Sequence, residues 1–409
     1  MLAAMPPTPD PTGAGSAVPD RDRSDACPGA LRLHTAADGA LARVRLPGGL
    51  LTGRQALALA EAAEALGDGN LEITSRGNVQ LRGLASNCGA ELAGRLRASG
   101  LLPSDTHERV RNIVASPGPG AGHADVQAWA RELDARLCAS PWAVGLSGKF
   151  LFALDDGRGD VAALNADVTL IAAPDGTALL RLGRAATARA VPAAEAVTAA
   201  LAAARDFLDA VRAAGRSAWH LREVPDLLPP GPVGLPEFAG APPALGALPG
   251  GLSVGLRFGT AGSARWRVLV DAAAGELRLT PWRGVVLPGA PADRLADLAA
   301  AGFRTGPGAA WERATACTGL PGCGSSRADV RADATRALEG APAAGLPVHW
   351  SGCERRCGHP AGRWVDVLAT GQGYRVTPVG TPAPSADVTP AEVTTEEMAE
   401  AVAEARRIT

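Results

Sequence analysis

The sequence repeats itself at long range, and this limits its fold more than any other feature. Arg111-Asn-Ile-Val-Ala-Ser116 recurs as Arg313-Ala-Thr-Ala-Cys-Thr318, and Gly100 as Gly302, each 202 residues on. At a spacing of 204, Ala124-Asp-Val126 matches Ala328-Asp-Val330, and Ser147-Gly-Lys149 matches Ser351-Gly-Cys353. Leu71-Glu-Ile-Thr74 pairs more weakly with Leu277-Arg-Leu-Thr280. A period near 200 residues is too long for a solenoid and implies two copies of one unit related by pseudo-symmetry. Cys317 falls where the first copy has Ala115, and Cys353 where it has Lys149. The second copy is therefore expected to carry a metal and the first copy the cationic groups.

Local patterns give the unit its elements. Leu41–Leu46 alternates as a strand, Pro47-Gly48-Gly49 turns, and Thr52–Leu66 reads as an amphipathic helix with Thr52 as N-cap. From Leu71 to Leu81 apolar and polar residues alternate in near-strict period two, which predicts one strand. Its polar face, Glu72, Thr74, Arg76, Asn78 and Gln80, meets either water or a polar ligand cavity. Leu227–Gly251, dominated by Pro, Gly and Ala, predicts a linker between the halves. Near the C-terminus Thr394-Thr-Glu-Glu397 offers a capping box before a packing helix.

Composition narrows the class. The chain has 409 residues, a net charge of −2 and a pI near 6.3, so no basic field favours nucleic acid or anionic membrane. No apolar run approaches the roughly 18 residues of a membrane span. The first 26 residues, rich in Pro, Asp and Ser, lack the apolar core of a secretory signal and predict a disordered tail. Seven cysteines without such a signal point to thiols or metal ligands in a reducing, cytoplasmic setting. Cys27, Cys88 and Cys138 stand alone and read as small buried hydrophobes. Among 40 basic residues only Lys149 is a lysine. A lone ammonium in a chain so rich in Arg either has a role guanidinium cannot fill or is a chance surface survivor.

The remaining cysteines form a constellation. Cys317-Thr-Gly-Leu-Pro-Gly-Cys323 is followed by Cys353-Glu-Arg-Arg-Cys357. Four thiolates suit a cubane iron–sulfur cluster, one for each iron. The glycines around them let backbone N–H groups approach the sulfides. A four-cysteine zinc site is the competing reading, but its inner spacing of two to four residues admits only the second pair.

These pairs, Cys-x5-Cys and Cys-x3-Cys, near the end of a duplicated chain resemble the sirohaem sulfite and nitrite reductase superfamily. Thr74-Ser-Arg76-Gly-Asn-Val-Gln80, Arg111-Asn-Ile-Val and Gly148-Lys149-Phe150 are similar, in the same order, to the motifs that hold the family's anionic substrate. Arg76, Arg111 and Lys149 match three of the four basic residues there; the fourth place holds Leu151. The resemblance runs from about Cys27 to about Val376. Within the superfamily, Cys27-Pro-Gly-Ala-Leu, Leu279-Thr-Pro-Trp-Arg283-Gly and Cys357-Gly-His-Pro360 resemble the precorrin-3B synthase branch.

The resemblance implies an α+β, pseudo-symmetric duplicated fold with ferredoxin-like half-domains. The implied partition is a tail (1–26), a first half-domain (27–100), a first repeat domain with the basic residues (101–226), the linker (227–251), a second half-domain (252–300), a second repeat domain with the cluster (301–385) and a C-terminal helix (386–409). It also implies an oxygenase that hydroxylates precorrin-3A at C20 and closes a γ-lactone in aerobic cobalamin biosynthesis. The expected cofactors are a [4Fe–4S] cluster on Cys317, Cys323, Cys353 and Cys357 and a mononuclear non-haem iron, without sirohaem. Candidate ligands for that iron are His220 with Glu223, or His349 with His359. Arg76, Arg111 and Lys149 are expected to hold the carboxylates of the substrate, because such groups stay charged and Arg binds bidentately. Arg82 reads as an ordinary surface ion pair. No strand–GxGxxG–helix unit appears, so electrons are expected from a partner reductase or ferredoxin. Two alternatives remain: a sirohaem-dependent sulfite or nitrite reductase, and a non-enzymatic iron–sulfur or zinc module.

Overall fold

The computed structural model describes residues 27–407, apart from 121, 239, 309, 340–344, 361 and 381–390. The expected tail lies outside the described residues. Among those described, no helix is long and apolar enough to cross a membrane.

A hairpin of β1 (His34–Ala36) and β2 (Gly39–Val44) leads through a turn at Pro47–Gly49 into β3 (Leu50–Thr52) and α1 (Gly53–Leu66). Thr52 caps α1, as its sequence predicts, and the structure adds a full capping box with Gln55. Then come β4 (Asn70–Ile73), β5 (Val79–Leu84) and α2 (Gly89–Ala98). A second layer follows: β6 (Ile113–Ala115), α3 (Val126–Cys138), β7 (Phe152–Asp155), β8 (Val168–Ala172), β9 (Thr177–Leu182), β10 (Thr187–Pro192), α4 (Ala196–Ala213) and β11 (Val233–Gly234).

The order then returns. β12 (Gly246–Leu248), β13 (Gly251–Gly255), β14 (Thr260–Gly262), α5 (Ser263–Ala272), β15 (Glu276–Leu279), β16 (Gly284–Pro288) and α6 (Arg294–Ala300) echo the first unit. β17 (Ala314–Ala316), α7 (Val330–Leu338), β18 (Val348–Ser351), β19 (Trp364–Ala369), β20 (Tyr374–Val379), β21 (Ala391–Val393) and α8 (Met398–Arg406) echo the second. The fold is α+β, as expected.

The two small sheets are not separate bodies. One runs β1-β2-β5-β4-β14 and the other β12-β13-β16-β15-β3, so each half closes the edge of the other's sheet. Behind them α1 and α5 share one apolar core, in which Trp266 is fully buried and donates its ring N–H to the Ala56 carbonyl at 3.0 Å. Two larger sheets, β11-β10-β9-β8-β7-β6 and β17-β18-β19-β20-β21, carry the chemistry-bearing loops.

Three local expectations change. Leu71–Leu81 is a hairpin, not one strand. Gly77, at φ +67°, turns the chain, and the Thr74 side chain accepts from the Arg76 and Asn78 backbones. Leu71 faces Leu81 and Ile73 faces Val79, odd against odd, so period two passes through the turn unbroken. Leu227–Gly251 is no free linker either, because β11 and β12 lie in it and pair with β10 and β13. The third change concerns the repeat. Ser116 donates its backbone N–H to Leu154 as Cys317 donates to Trp350, both at 2.9 Å, so Ser116, not Ala115, is the counterpart of Cys317. β7 corresponds to β18, which places Asp155–Gly157 opposite Ser351–Cys353; Lys149 lies ahead of β7. A two-letter Ser-Gly match carries little weight in a chain with 50 glycines.

Because the halves complete each other's sheets, they are expected to unfold together. Trp266→Ala should cost roughly 3–5 kcal/mol and still give a single denaturant transition followed by circular dichroism; two separated transitions would contradict the shared core.

Candidate metal centre

All four cysteines line one cavity of about 350 Å³. Cys317 directly follows β17, Cys323 closes the glycine-rich loop after it, and Cys353 and Cys357 follow β18. The opposite wall is the β1–β2 hairpin, residues His34 to Ala37, so the first half covers a site built by the second. Four thiolates around one cavity suit a polynuclear cluster with one iron behind each.

The backbone is already aimed at the sulfurs. The Gly352 N–H donates to Cys317 Sγ at 3.2 Å, the kind of bond that stabilises a ligated thiolate. Burial first, then the neighbouring Cys317, Cys353 and Cys323, pushes the Cys357 thiol up. Burial likewise raises Cys317. Four crowded thiols of this kind bind as thiolates only when a cationic centre offsets their repulsion.

Two arginines fasten the cysteine loop to the first half. Arg82 donates twice to Asp38, at 2.9 and 3.0 Å, and once to the Gly322 carbonyl at 2.6 Å. Arg331 donates to the Cys317 carbonyl at 3.1 Å and to Glu72 at 2.7 Å. Burial opposes ionisation of Glu72, but the charge and hydrogen bond of Arg331 hold it below the usual carboxylate range. The surface reading of Arg82 is thus overturned: its side chain is 7% exposed and grips the cluster loop. Sequence spacing could not show this, because Arg82 and Gly322 are 240 residues apart.

The expected basic residues divide. Arg76 donates to the carbonyls of Gly148 and Lys149 at 3.4 and 3.0 Å, and the Lys149 ammonium sits 3.8 Å from the centre of the Trp219 ring. Those two are brought together. Arg111 instead spends its guanidinium on Asp134, twice at 2.6 Å, and on the Leu101 carbonyl. Asn112 beside it supports the same loop through the Gly148 carbonyl. Leu151 packs in a small apolar cluster with Val114, Ala153, Val161, Ala166 and Trp282. His220 is tied to Asp167 at 3.0 Å, and Glu223 accepts from the Trp219 backbone; both hold the Trp219 turn.

Sequence reasoning missed Arg43 and Arg45. Both lie on or beside β2, and burial lowers both, Arg45 to about 9 with Arg43 contributing. Arg43 Nε and Arg45 Nη1 are buried and meet no protein acceptor. Arg43 also donates to Gln80 on the patterned hairpin at 3.0 Å. The signal was present as Arg43-Val-Arg45, polar residues alternating with the buried Ala42 and Val44.

In the first copy, Ser116 takes the place of Cys317, and the end of β7 with the loop after it carries Asp155, Asp156 and Asp160. Ligand atoms of the three aspartates lie within 4.8 Å of one another. Four backbone N–H groups saturate Asp155, and Arg158 pairs with Asp156. Burial, followed by repulsion from Asp155 and Asp156, raises Asp160 to about 6. In the second copy His349 is fully buried on β18, its Nδ1 against Thr315 Oγ1 at 2.8 Å. Burial, with the Arg283 charge adding to it, pushes His349 down to about 3. His359 stacks on Trp364 with ring centres 5.1 Å apart.

Residues 34–98 match the nitrite and sulfite reductase ferredoxin-like half domain. A precorrin-3B synthase from Sinorhizobium sp is 29% identical, over 86% of this chain and 82% of its own. The Mycobacterium tuberculosis NirA protein superposes with a TM-score of 0.64 at 19% identity, covering 88% of this chain and 79% of that one. Together these likenesses support a sulfite and nitrite reductase-like fold for the chain. Relatives that reduce oxyanions match only in part: a ferredoxin–nitrite reductase of Synechococcus elongatus is 35% identical over 29% of this chain and 25% of its own.

Arg82→Met removes the grip on Gly322 and leaves Asp38 without its partner. It is expected to cost about 3 kcal/mol or more and to lower the iron and sulfide retained on purification, whereas Arg95→Ala, in an exposed pair with Glu91, should cost under about 1 kcal/mol. Equal effects of the two variants, read by chemical denaturation and metal analysis, would contradict the clamp.

Proposed function

We propose that this chain carries out the reaction of the precorrin-3B synthases: oxygen-dependent hydroxylation of precorrin-3A at C20 with closure of a γ-lactone. The match along most of both chains carries this reading, since the oxyanion reductases align over a quarter of their length or less. A monooxygenation consumes one dioxygen, two electrons and two protons, places one oxygen atom in the product and releases the other as water. With no dinucleotide motif in the sequence, the electrons are assigned to a partner reductase or ferredoxin.

The four cysteines would hold a [4Fe–4S] cluster, which supplies single electrons at the junction of the halves. The chain's own residues bind and orient the substrate. Arg43 and Arg45 begin the carboxylate cradle, because their buried guanidinium donors without protein acceptors are a standing demand for an anion, and Arg76 and Lys149 would complete it. Arg111 positions α3 through Asp134 and acts on the cradle indirectly. Asp167 accepts the Leu151 backbone N–H and holds His220, which fixes the loop carrying Lys149.

Leu151 supports the oxygenase over a reductase. A departing oxyanion needs several donors at the reacting atom. Here the fourth basic place is filled by an aliphatic side chain packed on Trp282 and Val114, where an ammonium would be buried without a partner.

Lys149→Ala should weaken precorrin-3A binding at least several-fold while leaving cluster absorption intact; unchanged affinity in an equilibrium titration would return Lys149 to a surface role. The reaction itself is tested with labelled dioxygen and mass spectrometry of the tetrapyrrole, beside a sulfite and nitrite assay on the same preparation. One labelled oxygen in a hydroxylated lactone and negligible oxyanion turnover are expected. Robust sulfite or nitrite reduction with no label incorporated would replace this reading by the reductase.

A further inference from the structure

The turn between β15 and β16 repeats the backbone of the turn between β4 and β5. Thr280 donates its N–H to the Gly284 carbonyl at 2.9 Å and Arg283 to the Thr280 carbonyl at 3.0 Å, as Thr74 does to Asn78 and Gly77 to Thr74. Arg283 therefore stands where the first copy has Gly77, and both have positive φ, +61° and +67°. Glycine adopts this conformation without strain and an L side chain does not, so the arginine is kept here at a cost in stability. Its neighbour Trp282, in the place of Arg76, packs on the apolar cluster around Leu151.

The Arg283 side chain runs through space that glycines leave for it. A Cβ on Gly259 would lie 2.9 Å from Arg283 Cβ and Cδ, and Nη2 ends 3.6 Å from where a Cβ on Gly358 would stand, next to the last cysteine. Nη1 is buried without a partner, and among the described residues the guanidinium makes no hydrogen bond or ion pair. Glu72, whose charge favours its ionisation, is already committed: Arg331 donates to it at 2.7 Å and Gln80 at 3.5 Å. Burial, with the Arg331 charge adding to it, holds Arg283 below the ordinary guanidinium range. A buried cation left in this state is costly until an anion meets it. Arg283 is also absent from the lining of the cysteine cavity, so that cavity does not account for it.

We propose that Arg283 binds a carboxylate of the tetrapyrrole substrate and gives the second half its own hold on that ligand. The tetrapyrrole rests on the function proposed above; the demand for an anion rests on the unpartnered guanidinium. A planar fork with free donors suits a carboxylate, which takes two N–H groups at once. Arg43 and Arg45 present the same kind of unmet donor from the first half. A macrocycle with carboxylates around its rim is a ligand that donors on both halves can hold together, and Trp282 and Leu151 offer apolar surface beside it. The trade is stability for recognition: the first copy keeps glycine at this turn, and the second keeps the strained arginine because its head group is used.

The test uses the full chain purified anaerobically, as wild type and as Arg283→Gly, Arg283→Gln and Arg283→Lys. Each is titrated with uroporphyrin, a stable polycarboxylated tetrapyrrole, by its fluorescence, and each is melted without ligand. Arg283→Gly and Arg283→Gln should bind uroporphyrin roughly tenfold or more weakly, with Arg283→Lys between them and the wild type because it keeps the charge and loses the fork. Arg283→Gly should also melt above the wild type, since it removes both the strained φ and the unpaired charge. Iron and sulfide content should be unchanged in all three. Arg283→Gln keeps the side-chain bulk and the backbone as they are, so it decides the matter if the glycine variant misfolds. Unchanged affinity in the Gly and Gln variants, no uroporphyrin binding by the wild type, or a lower melting temperature for Arg283→Gly would overturn the proposal and make Arg283 a structural residue. Affinity lost in the variants while the wild type fails to label precorrin-3A would uphold the carboxylate contact and sink only the oxygenase reading; label incorporated with affinity unchanged would do the reverse.

Discussion

Across the β3–β15 ladder Thr52 stands opposite Glu276, and across β14–β4 Thr260 stands opposite Glu72. These two ladders set the position of everything else. An open sheet edge leaves backbone donors and acceptors unpaired. Each half here satisfies the other's edge, so neither completes its sheet without its partner. The exchange also places Glu72 beside the second half, where Arg331 bridges it to Thr260 and to the Cys317 carbonyl. The cysteine cavity is consequently a property of the joined pair: its ligands come from one half and its cover, His34 to Ala37, from the other.

Duplication followed by divergence accounts for the division of labour. The same hydrogen-bonded turn occurs at Thr74–Asn78 and Thr280–Gly284, with Gly77 and Arg283 both at positive φ. In the first copy glycine meets that backbone demand at little cost. In the second an arginine tolerates it, a strain that persists where the side chain is wanted. At the ends of the equivalent strands, one copy carries thiols and the other carboxylates answered by backbone N–H groups and Arg158. The pseudo-symmetric frame is kept while the chemistry is not.

Much of this was legible in the sequence, for reasons that can be named. The Thr52 N-cap, the duplication and the cysteine quartet are signals of local spacing or literal recurrence. What escaped depends on contacts far apart in the chain. Arg82 reads as a surface residue until Gly322 arrives beside it. The patterned segment reads as one strand because its hairpin pairs odd positions with odd. Lys149 was matched to Cys353 by two shared letters, where the backbone hydrogen bonds match Gly157 instead. Arg43 and Arg45 were overlooked because an arginine on a short strand is ordinarily solvated; only burial reveals the unmet donors.

In the proposed reaction a tetrapyrrole enters as substrate over a cluster and does not reside as sirohaem. The absorption spectrum of the chain purified without oxygen tests this most directly. It should show the broad band of a cluster near about 400 nm, no intense visible bands of a bound macrocycle, and new tetrapyrrole bands only on adding precorrin-3A. Stoichiometric sirohaem bands in the purified protein would contradict the account.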